Sequence, residues 1–215
     1  MKKVLLWIMI LAVVMASSST ASASDWFEDV FSMDTDLEQR WNTGIITSAV
    51  ITSESDFSNG LQISAVGSYD IFKFLAIGVE CGWTGFIDAR GGGIDAGTLS
   101  YWSILGDVIF KVPIEMDDYL LVPYVVNGFG GVIPSFDESD TATRMGVAVD
   151  CSPAFLYKFG GGLDFYITEI IGLNFEGSYQ WADIDCKATR YGTFLGSGPS
   201  KLDAWYLGGG VKVKF

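Results

Sequence analysis

The residues best placed to do chemistry are charges set among alternating apolar and small residues. The acids Glu80, Asp107, Asp164 and Glu176 and the bases Lys111, Lys158, Lys212 and Lys214 all fall on the less apolar face of such segments. In a narrow enclosed space they would have to pair with one another to offset desolvation. Other chemistry is restricted, because the chain contains no histidine. That removes Ser-His-Asp triads, Cys-His pairs and His-ligated metal sites. Asp183 with Asp185, or Asp137 with Glu138, could supply paired carboxylates for acid–base work, but loop carboxylates are far more often solvated charges. Asp137, Glu138 and Asp140 offer oxygen ligands without the Asp-x-Asp-x-Asp-Gly pattern of a calcium loop. The expectation is a protein that is not an enzyme and has neither cofactor nor metal.

The elements that carry these charges show a period of two. Leu75, Ile77, Val79, Cys81 and Trp83 share one face, and Ala76, Gly78, Glu80, Gly82 and Thr84 the other. Phe155, Tyr157, Phe159, Gly161, Leu163, Phe165 and Ile167 oppose Ala154, Lys158, Gly160, Gly162 and Asp164 in the same way. Leu173, Phe175, Gly177, Tyr179 and Trp181 oppose Asn174, Glu176, Ser178 and Gln180. The segments 61–69, 99–112 and 202–215 follow suit, while 43–52 and 119–132 alternate less cleanly. Alternation alone does not separate a soluble sandwich from a barrel in lipid. Three features point to lipid. Short connections (70–73, 113–118, 168–171) alternate with long ones (53–60, 87–98, 133–152, 183–201), as periplasmic turns and outer loops do. Trp83 and Trp181 close rising strands and Trp102 and Trp205 open descending ones, all on the apolar face, so they would form one ring at the outer interface. The third feature is the balanced set of charges on the opposite face. The expected fold is all-β: an eight-stranded antiparallel up-and-down transmembrane β-barrel over residues 41–215.

Ahead of the barrel, Lys2 and Lys3 precede an apolar run, Val4–Met15, too short to span a bilayer core, which takes ~20 helical residues. Ala21 and Ala23 then offer small residues before a cut, so residues 1–23 read as an export leader. Residues 24–40 read as a periplasmic segment. Trp26, Phe27, Val30 and Phe31 recur there at helical spacing, either as a short amphipathic helix docking under the interior lysines or as a leader without fixed contacts. Without Lys2 and Lys3 the charge is 11 − 26 = −15, which argues against nucleic acid as a partner. Of the three cysteines, Cys151 and Cys186 fall at the outer rim of neighbouring strands and can bridge, whereas Cys81 lies on the apolar face.

The segments Leu121–Gly130, Lys158–Glu169 and Ile171–Tyr179, with the ending Gly208–Phe215, resemble strands of the outer-membrane β-barrel family, its small OmpA-like or porin-like members. The resemblance implies that Val211, Val213 and Phe215 form an assembly signal read by the barrel-insertion machinery, and it supplies no catalytic residues to transfer. It further implies a location in the bacterial outer membrane, with outer-membrane lipids and lipopolysaccharide as neighbours, and the chain reads as a monomer. Eight strands enclose an interior that side chains can fill. The expected role is therefore structural or surface-interacting, with a closed or nearly closed lumen filled by paired charges; the alternative is a narrow pore for ions or very small solutes. N-terminal sequencing of protein extracted from envelopes should begin at Ser24, and a start at Met1 would refute export by a cleaved leader.

Overall fold

The computed structural model describes residues 40–53, 57–91, 94–116, 119–191 and 193–215. The leader 1–23 and the segment 24–40, Arg40 apart, lie outside the described residues. Within the unit Asp36–Phe215 the chain forms β1 (Trp41–Thr52), β2 (Gly60–Phe72), β3 (Leu75–Gly91), β4 (Ile94–Lys111), β5 (Ile114–Met116), β6 (Tyr119–Glu138), α1 (Asp140–Arg144), β7 (Val147–Cys151), β8 (Ala154–Tyr166), β9 (Ile171–Arg190) and β10 (Thr193–Lys214). Antiparallel ladders run β1–β2–β3–β4–β6–β8–β9–β10, and β10 returns to β1, with Asn42 opposite Lys214 and Ala49 opposite Leu207. The sheet is thus closed on itself and has eight walls.

The two extra strands do not add walls. β5 is a three-residue partner of β6 at its start. β7 continues β8: both pair with β9, Cys151 opposite Cys186 and Leu156 opposite Ala182. Five steps on one side (156 − 151) meet four on the other (186 − 182), so one residue is extra. Pro153 lies in this break, where its missing N–H removes no ladder bond.

The wall is apolar outside. Ile45, Ile63, Ile77, Val79, Ile104, Phe129, Phe175, Leu207 and Val211 are exposed on the outer face, while Ser48, Gln62, Glu80, Asp107, Lys158, Asn174 and Gln180 are buried on the inner one. Trp83 stands directly opposite Trp102, and Trp181 and Trp205 join Tyr157 and Tyr179 in ring contacts at 4.1 Å (Tyr157–Trp181) and 5.1 Å (Tyr179–Trp205). At the opposite end Trp41 meets Tyr69 and Tyr119 meets Phe165. The spans Leu75–Trp83, Trp102–Phe110 and Trp205–Phe215 each have about the 9–11 residues that a tilted strand needs to cross hydrocarbon. This is the inside-out pattern of a transmembrane barrel.

Beyond the tryptophans the pattern inverts without changing phase. On β9, Asp183, Asp185 and Lys187 are exposed outside while Ala182 and Ile184 are buried inside. On β10, Lys201 is outside and Leu202 and Ala204 are inside. The segments 87–98, 133–152 and 183–201, expected as long loops, are therefore largely strand. They continue the ladders with the alternation of a water-exposed sheet, polar outward and apolar inward, the reverse of the polarity of the strands below. Between β6 and β7 the short α1 caps the rim, and its N-terminal Ser139 hydroxyl accepts from the Ala142 N–H.

Cys151 and Cys186 form a disulfide between directly opposed residues of β7 and β9; Cys81 is free and exposed on the apolar face. The bond fastens the short β7 to the wall and closes a segment with a sequence separation of 35, worth about 3–4 kcal/mol in the chain-entropy model. Alkylation of unfolded, unreduced protein should modify one thiol per chain, at Cys81, and Cys186→Ser should speed amide exchange in 147–151 while leaving the membrane-spanning ladders protected. Three modified thiols in the oxidised protein would refute the bridge.

Candidate functional site

The inner face holds two layers. Level with the tryptophans and beyond, Val50, Ile87, Leu99, Tyr101, Leu105, Val132, Leu156, Ala182, Ile184, Leu202, Ala204 and Tyr206 form one packed apolar cluster. The Tyr101 and Tyr206 hydroxyls, from β4 and β10, hydrogen-bond to each other within it. Two fully buried phenols satisfy their polar ends this way at little cost to the packing.

Nearer the membrane's other face lies the charge layer. Lys158 on β8 places its Nζ 2.6 Å from Glu80 Oε2 on β3 and 2.7 Å from Glu176 Oε1 on β9. Its side chain is 2% exposed, so the two carboxylates replace the water that the ammonium gives up. Glu176 also accepts from the Tyr124 hydroxyl on β6 at 2.8 Å. Asn174 donates to the same Tyr124 oxygen at 2.8 Å and to Asp164 at 2.6 Å, and Lys212 on β10 reaches Asp164 at 2.9 Å. Lys212 also stands 4.6 Å from the centre of the Tyr124 ring, a cation over an aromatic face. One continuous chain of ion pairs and hydrogen bonds thus links β3, β6, β8, β9 and β10. A second group sits beside it: Lys111 lies 2.5 Å from Asp70, and the Tyr166 hydroxyl donates to Asn42 Oδ1 at 3.0 Å.

Solved structures share this architecture. The crystal structure of Neisserial surface protein A aligns with a TM-score of 0.56 at 14% identity, over 81% of this chain and 97% of that one. The outer-membrane protein OprG of Pseudomonas aeruginosa aligns at 0.56 and 14%, over 82% and 95%. AlkL, an outer-membrane protein solved by solid-state NMR in lipid bilayers, aligns at 0.56 and 16%, over 82% and 90%. The fold is that of the small outer-membrane β-barrels. No family model matches the chain, and no curated protein matches it.

Within this small-barrel fold all eight charges singled out in the sequence lie on strand faces turned inward, but they do not all pair. Glu80, Glu176 and Asp164 are bound by Lys158 and Lys212, and Lys111 by Asp70. Asp107 and Lys214 make no ion pair among the described residues. The sequence places Asp70 at the start of a turn (70–73); β2 runs on to Phe72, and the even positions from Gln62 onward reach Asp70 in four steps and put it inside. Asn42, Tyr124, Tyr166 and Asn174, which join the charges to one another, carry no charge, so charge and phase alone do not single them out. The four tryptophans lie on the outer face; Trp102, Trp181 and Trp205 are exposed there and Trp83 is partly covered, with Phe86 at 5.6 Å. Val211 is exposed to the outside, and Phe215 exchanges two backbone hydrogen bonds with Trp41 where the ring closes. Asp137 and Glu138 end β6, and Glu138 accepts from the Val149 N–H at 3.1 Å, tying the rim to β7.

Removing one member of a buried pair leaves an uncompensated charge, which typically costs ~3–5 kcal/mol, against ~0–1 kcal/mol for an exposed charge. Lys158→Ala, which strands two carboxylates, should lower the urea midpoint of the refolded protein most, Glu176→Ala less, and the exposed Asp183→Ala hardly at all. Wild-type midpoints for both interior variants would show that these charges are solvated.

Proposed function

We propose that the protein resides in the bacterial outer membrane as a monomeric, non-enzymatic barrel whose role is structural or surface-interacting, with an interior closed to solutes. The observation that carries this reading is the double filling of the interior. An apolar cluster containing Leu105, Leu156 and Tyr206, each at most 2% exposed, stands directly over the Lys158 clamp. Ions that pass must break paired charges and then cross a layer with no water-facing groups, and each step has a high desolvation cost.

The surroundings suit the same reading. The exposed apolar band between the aromatic rings faces outer-membrane lipid. The exposed Lys201 lies on the outer face four residues beyond Trp205, on the side where lipid phosphates and lipopolysaccharide are the neighbours. The strands that continue past this level present the surface available to the medium. Val211, Val213 and Phe215, at the seam with β1, are the segment for the insertion machinery to read. The buried carboxylates do not serve acid–base catalysis, since Glu80 and Glu176 are committed to Lys158.

Planar-bilayer recording decides between this role and a narrow pore. The wild-type protein should give no unitary conductance steps, and a Lys158→Ala/Glu176→Ala double variant should still be held shut by the apolar layer until Leu105 and Leu156 are also cut to alanine. Steps from the wild-type protein would replace the closed reading with the pore.

A further inference from the structure

Beyond the tryptophans the strands of the wall end at unequal heights. β1 stops at Thr52 and β2 starts at Gly60, whereas their outer neighbours β10 and β3 reach Thr193 and Gly91. Past Thr52, the Ser53 N–H still donates to the Asp203 carbonyl of β10, and Phe57 then pairs with Ala89 on β3. From Leu202 back to Thr193, β10 is paired with β9 alone among the described residues. That stretch is a free edge on the side of the medium, the kind of surface to which another strand can add.

The backbone groups on this edge can be assigned residue by residue. The N–H and C=O of one strand residue point to the same side, and those of the next residue to the other. Phe215 exchanges both bonds with Trp41, and Asp203 accepts from Ser53, so the odd-numbered residues of β10 turn their backbone groups toward β1. The register with β9 is unbroken from Val213 to Gly196. Beyond Asp203 the groups on the vacant side are therefore those of Lys201, Pro199 and Ser197. The middle one has no N–H to offer. Asp185, opposite Pro199, turns its carbonyl away from β10 to the Ser152 N–H, so the proline costs the β9 ladder nothing.

The same arrangement recurs on β6. The Val112 N–H donates to the Pro123 carbonyl, so odd residues of β6 face β4 and even ones face β8. The ladder with β8 ends at Val132, and the next even residue is Pro134. Two separate strands thus carry a proline in the part that has lost its neighbour, turned to the vacant side. On β10 the exposed Lys201 stands beside it, a charge that an added strand would have to accommodate.

We propose that Pro199 keeps the free edge of β10 from adding a strand of a second copy of this chain, as Pro134 does for β6. A second copy is the partner to be kept off, because every copy in the membrane presents the same vacant edges at the same height. The proposal deepens the reading of the chain as a monomer and rests on it.

The test is light scattering on refolded protein in micelles, corrected for detergent, over a rising protein concentration. Wild-type protein should keep the mass of one chain throughout. Pro199→Val restores an N–H on the vacant side and should associate, at least doubling the mass, while the amides at 197, 199 and 201 become protected from exchange. Ser197→Val places the same apolar side chain at the next edge-facing position without adding a donor, and should stay a single chain. Equal association of Ser197→Val would trace the effect to apolar surface and overturn the role of the missing N–H. A folded Pro199→Val that stays a single chain at every concentration would overturn the proposal. Should that variant not fold, Pro199→Ala restores the same donor with a smaller side chain and is read in the same way. Association of the wild-type protein would overturn the monomer reading, whereas single-chain wild type with single-chain Pro199→Val would overturn the part played by Pro199 alone.

Discussion

The interaction on which the rest of this barrel depends is the clamp of Lys158 between Glu80 and Glu176. β3 and β8 are not neighbours in the ring; two strands separate them along the sheet. The Glu80–Lys158 contact therefore crosses the interior, and Glu176 ties the same ammonium to the adjacent wall. Such a brace is not a large source of net stability, because desolvation takes back most of the Coulombic attraction. Its effect lies in specificity. Once these groups are inside, an arrangement that fails to bring them together leaves bare charges in a low-dielectric space, and the Tyr124, Asn174, Asp164 and Lys212 bonds extend that requirement to β6 and β10.

The sheet solves two solvation problems with one fold. Where it faces hydrocarbon, apolar side chains point out and the polar ones gather inside. Beyond the tryptophans the same strands, in the same phase, turn polar side chains out and bury Ile184, Leu202 and Leu99 around the Tyr101–Tyr206 pair. The outer part is organised as a small water-soluble β-structure is, and its core lies across the mouth of the membrane-embedded part. The apolar filling of the interior at that level is in this sense a by-product of extending the strands into water. The Cys151–Cys186 bond and the Glu138–Val149 contact then hold the place where β8 has ended and the wall passes to β7.

How much of this was legible in the sequence depends on which solvent each residue meets. The segment Leu75–Trp83 and its counterparts announced their strands because outward apolar residues repeat every second position, and ring closure followed from the number of such segments. Asp183, Asp185 and Lys187 obey the same period with the opposite polarity, so the extended strands looked like loops. The inward set of charges was visible for the same reason as the strands, since phase alone places Glu80 or Lys158. Their partners were not, because pairing depends on stagger around the ring, which periodicity within a strand does not contain. Asp70 was hidden because the apolar alternation ends at Tyr69, three residues before the strand does. The apolar layer was hidden because Leu105 and Leu156 on an inward face contradict the simple rule of polar inside.

The burial of the Lys158–Glu176 pair is what a double-mutant cycle measures most directly. Lys158→Met, Glu176→Gln and the double variant, unfolded by urea in lipid-mimetic micelles, give the coupling between the two side chains free of their separate contributions. A buried, braced pair predicts a coupling toward the upper end of the ~0.5–3 kcal/mol range, with the double variant, which strands Glu80 alone, more stable than Lys158→Met, which strands both carboxylates. A coupling near zero, with the two single effects simply adding, would mean that water screens the pair and that the interior is a solvated channel rather than a closed network.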